Sequence, residues 1–200
     1  MEQHATQQIK SAQIEATVIR ADGRIEELGR ISYWHRNPFK RWGWALGKML
    51  RNFLKFTSPV RSIIGDNKGM ATLLVATGRA ITTGRLKAVG TEPLNIGWGT
   101  GAGTTVPGDT TLFAEKDVDL ATATGLRTAG TSSQVTVTST NDTYQVTGTR
   151  TATGAGTVTN AGLWDDVDIG EGSLYMKGDF TGIGLSIGDS INFTMKVQYS

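Results

Sequence analysis

The chain has 200 residues, a formal net charge of +2 at pH 7 and no cysteine. Its 26 glycines and its aromatic content of only 8% are typical of an all-β protein with many turns rather than of a helical bundle. The lack of cysteine excludes disulfides, thiolate metal sites and a cysteine nucleophile. The N-terminal residues follow neither a signal-peptide nor a membrane-spanning pattern, so we expect the chain to fold in the cytoplasm.

The first predicted elements are a polar tail that extends to about Ala12 and a β-hairpin over residues 13–34. Two β-prone runs, QIEATVIR and RIEELGRISYW, meet at Asp22 and Gly23. This pair of residues tolerates the positive φ angles of a tight two-residue turn. The pattern therefore predicts two antiparallel strands joined at that point.

The following segment, NPFKRWGWALGKMLRNFLKF, changes to a helical period. Asn37 can cap a helix and Pro38 suits its first turn. Apolar residues recur at helical spacing, namely Trp42, Leu46, Met49, Leu50 and Phe53. Because Leu28 to Ile64 contains no acidic residue and eight basic ones, the segment is predicted to be a basic amphipathic helix. From Asn160 onward acidic residues predominate, and such opposite charges attract within one molecule or between copies.

The rest of the chain is predicted to consist of short strands. The clearest is INFTMKVQYS, in which Ile191, Phe193, Met195, Val197 and Tyr199 share one face. Earlier strands are predicted at Met70 to Ala76, Leu94 to Trp98, Val118 to Ala123, Gln134 to Ser139, Tyr144 to Thr149 and Val158 to Leu163. Asn141 and Asp142 are predicted to form a hairpin turn. The expected fold is an antiparallel β-sandwich, with a jelly roll as one such arrangement, divided into an N-terminal segment (1–65) and a sandwich body (66–200).

Three sequence patterns are of the kind found in phosphate-binding, calcium-binding or catalytic sites, and each has a simpler structural explanation. The stretch GWGTGAGTT lacks the Gly-Lys-Ser/Thr of a phosphate loop, so its glycines more simply permit a turn or bulge. The acidic stretch WDDVDIGEG offers carboxylates to Ca²⁺ but lacks EF-hand spacing. The two histidines, His4 and His35, accompany no nucleophile signature. We therefore predict no catalytic residue, no cofactor and no resident metal, while leaving a cation at Asp165 to Glu171 open.

Three stretches, in chain order, resemble a known family: LNIGWGTGAGTTVPGDTTLFAE, TNAGLWD and LSIGDSINFTMKVQYS. Together with ATVIRADGRIEELGR, they resemble small structural proteins encoded among the virion genes of tailed bacteriophages. The resemblance covers most of the chain from about Ala16 onward. It implies a noncatalytic virion component with a β-sandwich body, assembled in the host cytoplasm. The basic, tryptophan-rich segment 36–56 departs from the more neutral segment of such proteins.

This resemblance implies that the chain decorates or cements a phage capsid, where it contacts the major capsid protein or other virion proteins in many copies or as a homo-oligomer. A neck, tail or fibre-attachment protein is the first alternative. We expect neither nucleic acid nor a membrane as partner, because apolar side chains lie on more than one side of the basic segment and indicate packing against protein. The predicted partner contacts are Arg36, Lys40, Arg41, Trp42, Trp44, Arg51, Phe53 and Trp164.

A second alternative, from a different functional class, is a carbohydrate-binding module for the host surface. Such a module needs a platform of exposed aromatic rings, and Trp98 and Trp164 both lie near glycine-rich loops. The alternatives differ in a property that a structure reveals directly. Exposed indole rings favour a carbohydrate platform, whereas a buried Trp164 excludes the platform built on it.

Overall fold

A computed structural model describes residues 9–35, 72–74 and 90–199, which form an all-β sandwich of two antiparallel sheets. Its eleven strands are β1 (Ile9–Ile19), β2 (Ile25–His35), β3 (Thr72–Leu74), β4 (Asn95–Gly99), β5 (Glu115–Lys116), β6 (Thr128–Ala129), β7 (Thr131–Val135), β8 (Thr143–Thr151), β9 (Gly156–Trp164), β10 (Leu174–Leu185) and β11 (Ser190–Tyr199). The predicted all-β sandwich is therefore confirmed. Within these ranges, no helix is long and apolar enough to cross a membrane.

The five-stranded sheet has the order β2-β1-β11-β8-β7, and the six-stranded sheet has the order β3-β10-β9-β4-β5 with β6 also paired to β4. The alternation predicted for the last strand is confirmed. In β11, Ile191, Phe193, Met195 and Val197 are fully buried, while Asn192 on the opposite face is exposed. One face of this strand lies in the core because side chains alternate across a strand with a period of two.

The predicted hairpin is confirmed, but it begins earlier than the sequence indicates. The first strand starts at Ile9, and Ala12, which was predicted to end a polar tail, is fully buried. The strand β1 lies between β2 and β11 and pairs with both of them. The hairpin is thus a part of the sandwich, and the five-stranded sheet runs across the predicted division between residues 1–65 and 66–200.

The turn of this hairpin has three residues rather than the predicted two. The Arg20 amide donates to the Arg24 carbonyl at 2.8 Å, and the Gly23 amide donates to the Arg20 carbonyl at 2.9 Å. Gly23 has a φ of 85°, whereas Asp22 keeps an ordinary negative φ. This arrangement is a type I turn followed by a left-handed residue, which is the common form of a three-residue hairpin loop.

The predictions for the middle of the chain are right for three strands and wrong in two places. The predicted strands at Leu94, Tyr144 and Val158 correspond to β4, β8 and β9. Residues 118–123 form turns instead of a strand, because the Asp119 carboxylate accepts hydrogen bonds from the backbone amides of Ala121 and Thr122. Such local bonds compete with the pairing of strands.

The hairpin predicted at Asn141 and Asp142 is present between β7 and β8, with a longer loop than expected. The strand β7 ends at Val135, not at Ser139. The Asp142 carboxylate accepts the backbone amides of Val137, Thr138 and Ser139, each at 2.9 Å, and thereby holds these residues in the loop. Of the strand predicted at Met70 to Ala76, the structure describes only β3, and the predicted basic helix lies outside the described residues.

A long segment, residues 100–127, covers the outer face of the six-stranded sheet, and we call it the strap. Trp98, Ala161 and Met176 of this sheet point into the main core. Their neighbours Asn160 and Lys177 point the other way and bond to the strap. The molecule therefore has a third layer over this sheet, although most of the strap is not in regular secondary structure.

Candidate functional site

Among the residues that the structure describes, three cationic side chains are buried: Arg127, Arg150 and Lys177. Each forms an ion pair with a carboxylate of the strap, and each lies against an aromatic ring. A buried charge is strongly unfavourable unless it is paired and hydrogen-bonded. These three buried and paired cations, with their partners, therefore form the candidate site. They lie along the inner side of the strap and at its end.

Arg127, at the end of the strap, has the most complete set of partners. Its guanidinium forms a two-point ion pair with Glu115, with Nε–Oε1 and Nη2–Oε2 distances of 2.8 and 3.1 Å. It also lies over the ring of Trp164, 3.7 Å from the ring centroid. The side chain is fully buried, and Glu115 is 10% exposed. This geometry combines a bidentate carboxylate contact with a cation–π contact, the two contacts for which a planar guanidinium is suited.

Arg127 also organises the acidic stretch that the sequence offered as a possible calcium loop. Its Nη1 donates to the backbone carbonyls of Asp166, Asp168 and Glu171 at 3.0, 2.6 and 3.0 Å. The carboxylates of Asp165 and Asp166 accept backbone amides of the same loop. The guanidinium thus supplies the positive charge around which these carbonyls converge. In the described ranges, no group of three or more His, Cys, Asp or Glu side chains is placed to hold a metal ion.

Arg150 joins the two sheets to the strap. It projects from β8, and its guanidinium donates to the carbonyls of Leu126 and Lys116 and to Asp117 Oδ1, the last at 3.2 Å. Its carbon Cζ lies 4.9 Å from the centroid of the Trp98 ring. Burial lowers the pKa of Arg150 to about 10, and attraction by Asp117 and Glu115 opposes that shift. The side chain still carries its charge at neutral pH, where it acts as a structural cross-connection.

Lys177 holds the first part of the strap. Its Nζ donates to Asp109 Oδ2 at 3.0 Å and to the Thr111 carbonyl at 2.9 Å, and it lies 3.0 Å from the centroid of the Phe113 ring. Burial lowers the pKa of Lys177, while the hydrogen bond to Asp109 and the charges of Asp109 and Asp179 oppose that shift. The side chain is 1% exposed, so the ammonium is almost completely shielded from water.

Asn160, which is fully buried in β9, fixes the middle of the strap through its amide. Its Oδ1 accepts the Phe113 amide at 3.1 Å, and its Nδ2 donates to the carbonyls of Gly101 and Phe113, both at 3.1 Å. A side-chain amide can donate and accept at once, so it satisfies both sides of an irregular backbone. The strap is therefore held by side chains where it has no neighbouring strand.

The glycine-rich stretch packs against the strap, and this explains its composition. A Cβ atom on Gly99 would lie 2.4 Å from the Phe113 carbonyl oxygen, and one on Gly103 would lie 2.5 Å from the Phe113 ring. A Cβ on Gly97 would lie 2.4 Å from Glu115 Oε1. Glycine at these positions permits the close approach of two backbone segments. The space beside the stretch is thus filled by the protein itself, and the glycines serve close packing rather than the predicted turn or bulge.

The structure describes only one of the predicted partner contacts. Arg36, Lys40, Arg41, Trp42, Trp44, Arg51 and Phe53 lie outside the described residues. Trp164 is 3% exposed, with one face covered by Arg127, and its ring is not available as a contact surface. Trp98 is fully buried as well. These two rings therefore do not form the exposed aromatic platform that a carbohydrate-binding module requires.

Sequence reasoning missed the residues that define this site, namely Arg127, Arg150, Lys177 and Asn160. One signal was present in the family-like motif, because Asp109 and Glu115 within it are the partners of Lys177 and Arg127. Lys177 lies 68 positions after Asp109 and Arg150 lies 33 positions after Asp117, whereas Arg127 lies only 12 positions after Glu115. Only the fold brings them together.

Comparison with protein-family models, with curated proteins and with solved structures finds no match for this chain.

Proposed function

We propose that this chain is a noncatalytic structural protein of a tailed-bacteriophage virion, and that it decorates or cements the capsid. The proposal combines the resemblance of its glycine-rich, TNAGLWD and C-terminal stretches with the way in which those stretches are used in the fold. The observation on which the proposal depends is that residues of these stretches make their contacts inside the protein. Gly99 and Gly103 pack under Phe113, while Asp109 and Glu115 pair with buried cations.

This internal use supports a structural role rather than a catalytic one. A catalytic or ligand-binding motif presents its polar groups to a cleft, where a substrate reaches them. Here the charged groups of the motif face inward and stabilise a layer of irregular backbone. Such an arrangement favours a rigid surface that many copies present to a lattice.

The mechanism that we propose is stabilisation by mass action. A subunit that binds the assembled lattice but not its separate components shifts the equilibrium toward assembly. Many copies, each with modest affinity, act together through multivalency. The major capsid protein or a neighbouring virion protein is the proposed partner, and the basic segment 36–56 supplies the proposed contacts.

The first test is the number of copies per purified particle. Labelled peptides of this chain and of the major capsid protein are quantified by mass spectrometry in gradient-purified virions from cells that express both proteins. A ratio near one, or a fixed simple fraction of one, supports capsid decoration. About three to twelve copies, as closed rings of subunits require, assigns the chain to the neck, tail or fibre. Absence from the particles overturns the virion proposal.

A second test concerns the mechanism. Particles that lack the chain are titrated with the purified protein, and their thermal disruption is followed with and without it. Decoration predicts that the disruption temperature rises with protein concentration until the sites are saturated. A variant with Arg41 and Arg51 replaced by alanine is expected to need a higher concentration for the same rise. Particles whose disruption temperature does not change contradict the cementing role.

A further inference from the structure

The contact between the strap and β10 brings a carboxyl group and a lysine into the arrangement from which an amide can form. Lys177 Nζ lies 3.0 Å from Asp109 Oδ2, and the two side chains are 1% and 16% exposed. We propose that Lys177 and Asp109 become joined by an intramolecular isopeptide bond that fastens the strap to β10. This inference does not depend on the proposed function, because it concerns the chemistry of the chain itself.

Both reacting groups are held in place by other contacts. The Lys177 ammonium also donates to the Thr111 carbonyl at 2.9 Å, and the Asp109 carboxylate also accepts the Val106 amide at 3.1 Å. The Phe113 ring covers the ammonium from one side. The two groups therefore remain in contact. Holding two reactants together in this way corresponds to effective concentrations of about 10⁵–10⁸ M in well-oriented cases.

Burial shifts Lys177 toward the form that reacts. An amine attacks a carbonyl carbon only when the nitrogen has a free electron pair, and burial lowers the pKa of Lys177 toward that neutral form. A carboxyl group is attacked most easily when it is protonated. A proton that moves from the Lys177 ammonium to the Asp109 carboxylate produces both neutral forms in a single step, within a site that largely excludes water.

A second carboxyl group, that of Asp179, lies close enough to Lys177 for its charge to oppose the fall in the Lys177 pKa. Asp179 lies two residues after Lys177 on the same face of β10 and is 7% exposed. Its Oδ1 accepts the Thr105 amide at 3.0 Å, and the Thr105 hydroxyl beside it is buried without a partner among the described residues. A buried carboxyl group next to a reacting pair is suited to general acid–base catalysis. We assign Asp179 this role.

The proposed reaction is a condensation. Neutral Lys177 Nζ attacks Asp109 Cγ and forms a tetrahedral intermediate. Asp179 accepts a proton from the nitrogen and returns it to the departing hydroxyl oxygen. The Cγ–O bond breaks, one water molecule leaves, and a Cγ–Nζ amide bond remains. No oxidation or reduction takes place, and the charges of the original ion pair disappear together.

The molecule contains an internal comparison for this proposal. Lys196 Nζ and Glu15 Oε2 are also 3.0 Å apart, but their side chains are 23% and 35% exposed. This second pair is open to water, whereas the Lys177–Asp109 pair is largely shielded from it. The proposal therefore predicts an amide bond at Lys177 and none at Lys196, although the nitrogen–oxygen distance is the same.

The test begins with the intact mass of the full-length protein under denaturing conditions. The isopeptide bond lowers the mass by that of one water molecule. A succinimide at Asp22–Gly23 would cause the same loss, so tryptic peptides must locate it. The bond blocks cleavage after Lys177 and yields one branched peptide that joins residues 88–116 to residues 151–196. An unchanged mass, or a loss that maps to Asp22, overturns the proposal.

Three variants complete the test. Lys177→Met is expected to have its full calculated mass and no branched peptide, whereas Lys196→Met keeps the cross-link in a branched peptide that continues past residue 196, because its cleavage site there is lost. Asp179→Asn is expected to form the bond at least about 10²-fold more slowly, since general acid–base catalysis typically contributes that much. Bond formation at the wild-type rate in folded Asp179→Asn overturns the role of Asp179. The wild-type mass decides the main proposal even if a variant fails to fold.

Discussion

Arg127 and Glu115 form a two-point ion pair in which the nitrogen–oxygen distances are 2.8 and 3.1 Å and the arginine side chain is fully buried. The pair connects the end of the strap to β5, and the same guanidinium binds three carbonyls of the acidic loop. Three separate parts of the chain thus depend on one positive charge. We make four predictions about stability: three concern the contacts of the strap, and the fourth concerns the Asp142 carboxylate between β7 and β8.

The first prediction concerns the loss of one partner from this pair. Glu115→Ala leaves the Arg127 charge buried without its carboxylate, and removal of one member of a buried ion pair typically costs about 3–5 kcal/mol. We expect the free energy of unfolding, measured by urea denaturation, to fall by that order. The matched control is Arg24→Ala, which breaks an ion pair whose members are 78% and 55% exposed and should cause no measurable loss. Equal effects of the two changes would contradict the proposed importance of burial.

The second prediction concerns the fit of the glycine-rich stretch beneath the strap. The Cβ of Gly99→Ala would lie 2.4 Å from the Phe113 carbonyl oxygen and 2.6 Å from Asn160 Oδ1. Overpacking of this kind typically costs about 1–3 kcal/mol. Gly108→Ala is the control, because nothing lies within 4 Å of its Cβ position. We expect a lower urea midpoint for Gly99→Ala alone, and a midpoint equal to the control would show that the strap moves freely.

The third prediction concerns the amide of Asn160. Asn160→Asp keeps an acceptor for the Phe113 amide but removes the donor to the Gly101 and Phe113 carbonyls, and it buries a negative charge. Leaving such groups unsatisfied typically costs about 1–3 kcal/mol, and the charge adds to this. We expect hydrogen exchange in the strap to accelerate in this variant. Asn192→Asp, on the exposed face of β11, makes the same chemical change and should leave this exchange unaltered.

The fourth prediction concerns stability in acid. The hydrogen bond from Gln198 and the backbone amides of Ser139, Val137 and Thr138 hold the pKa of Asp142 well below its usual range. A carboxyl group whose pKa is lower in the folded state contributes stability above its unfolded pKa, near 4, and this contribution is lost as the pH falls toward the folded value. We therefore expect the urea midpoint to decrease below about pH 4.

The variant Asp142→Asn tests the source of that decrease. At neutral pH it is expected to be less stable than the wild type, because a neutral amide accepts the loop amides more weakly than a carboxylate does. Its midpoint should then change less between pH 4 and the acid end of the titration. A variant that retains the full acid dependence would show that other carboxyl groups cause it. Asp189, whose pKa the amides of Ser186 and Ala21 and the side chain of Arg20 lower, is the next group to replace.

The sequence by itself determined the fold class and most of the strands. The final strand is the clearest case, because the alternation of Ile191, Phe193, Met195 and Val197 with polar residues is a local property that half-burial of a strand requires. The hairpin at Gly23 was predictable for the same kind of reason, since a turn depends on neighbouring residues. The turn length and the starting residue of β1 were less predictable, because the first depends on the register of β1 with β2 and the second on pairing with β11.

Only the tertiary structure decided which charged and aromatic residues are buried. Trp164, predicted to contact a partner, instead lies under Arg127, and the acidic loop closes around that arginine. Lys177 and Asp109 belong to distant parts of the chain, and no local pattern reports their contact. The alternation of apolar and polar residues is a property of neighbouring positions in the sequence. The partner of a buried charge depends instead on which segments the fold packs together. The strap and its three cations therefore became visible only in three dimensions.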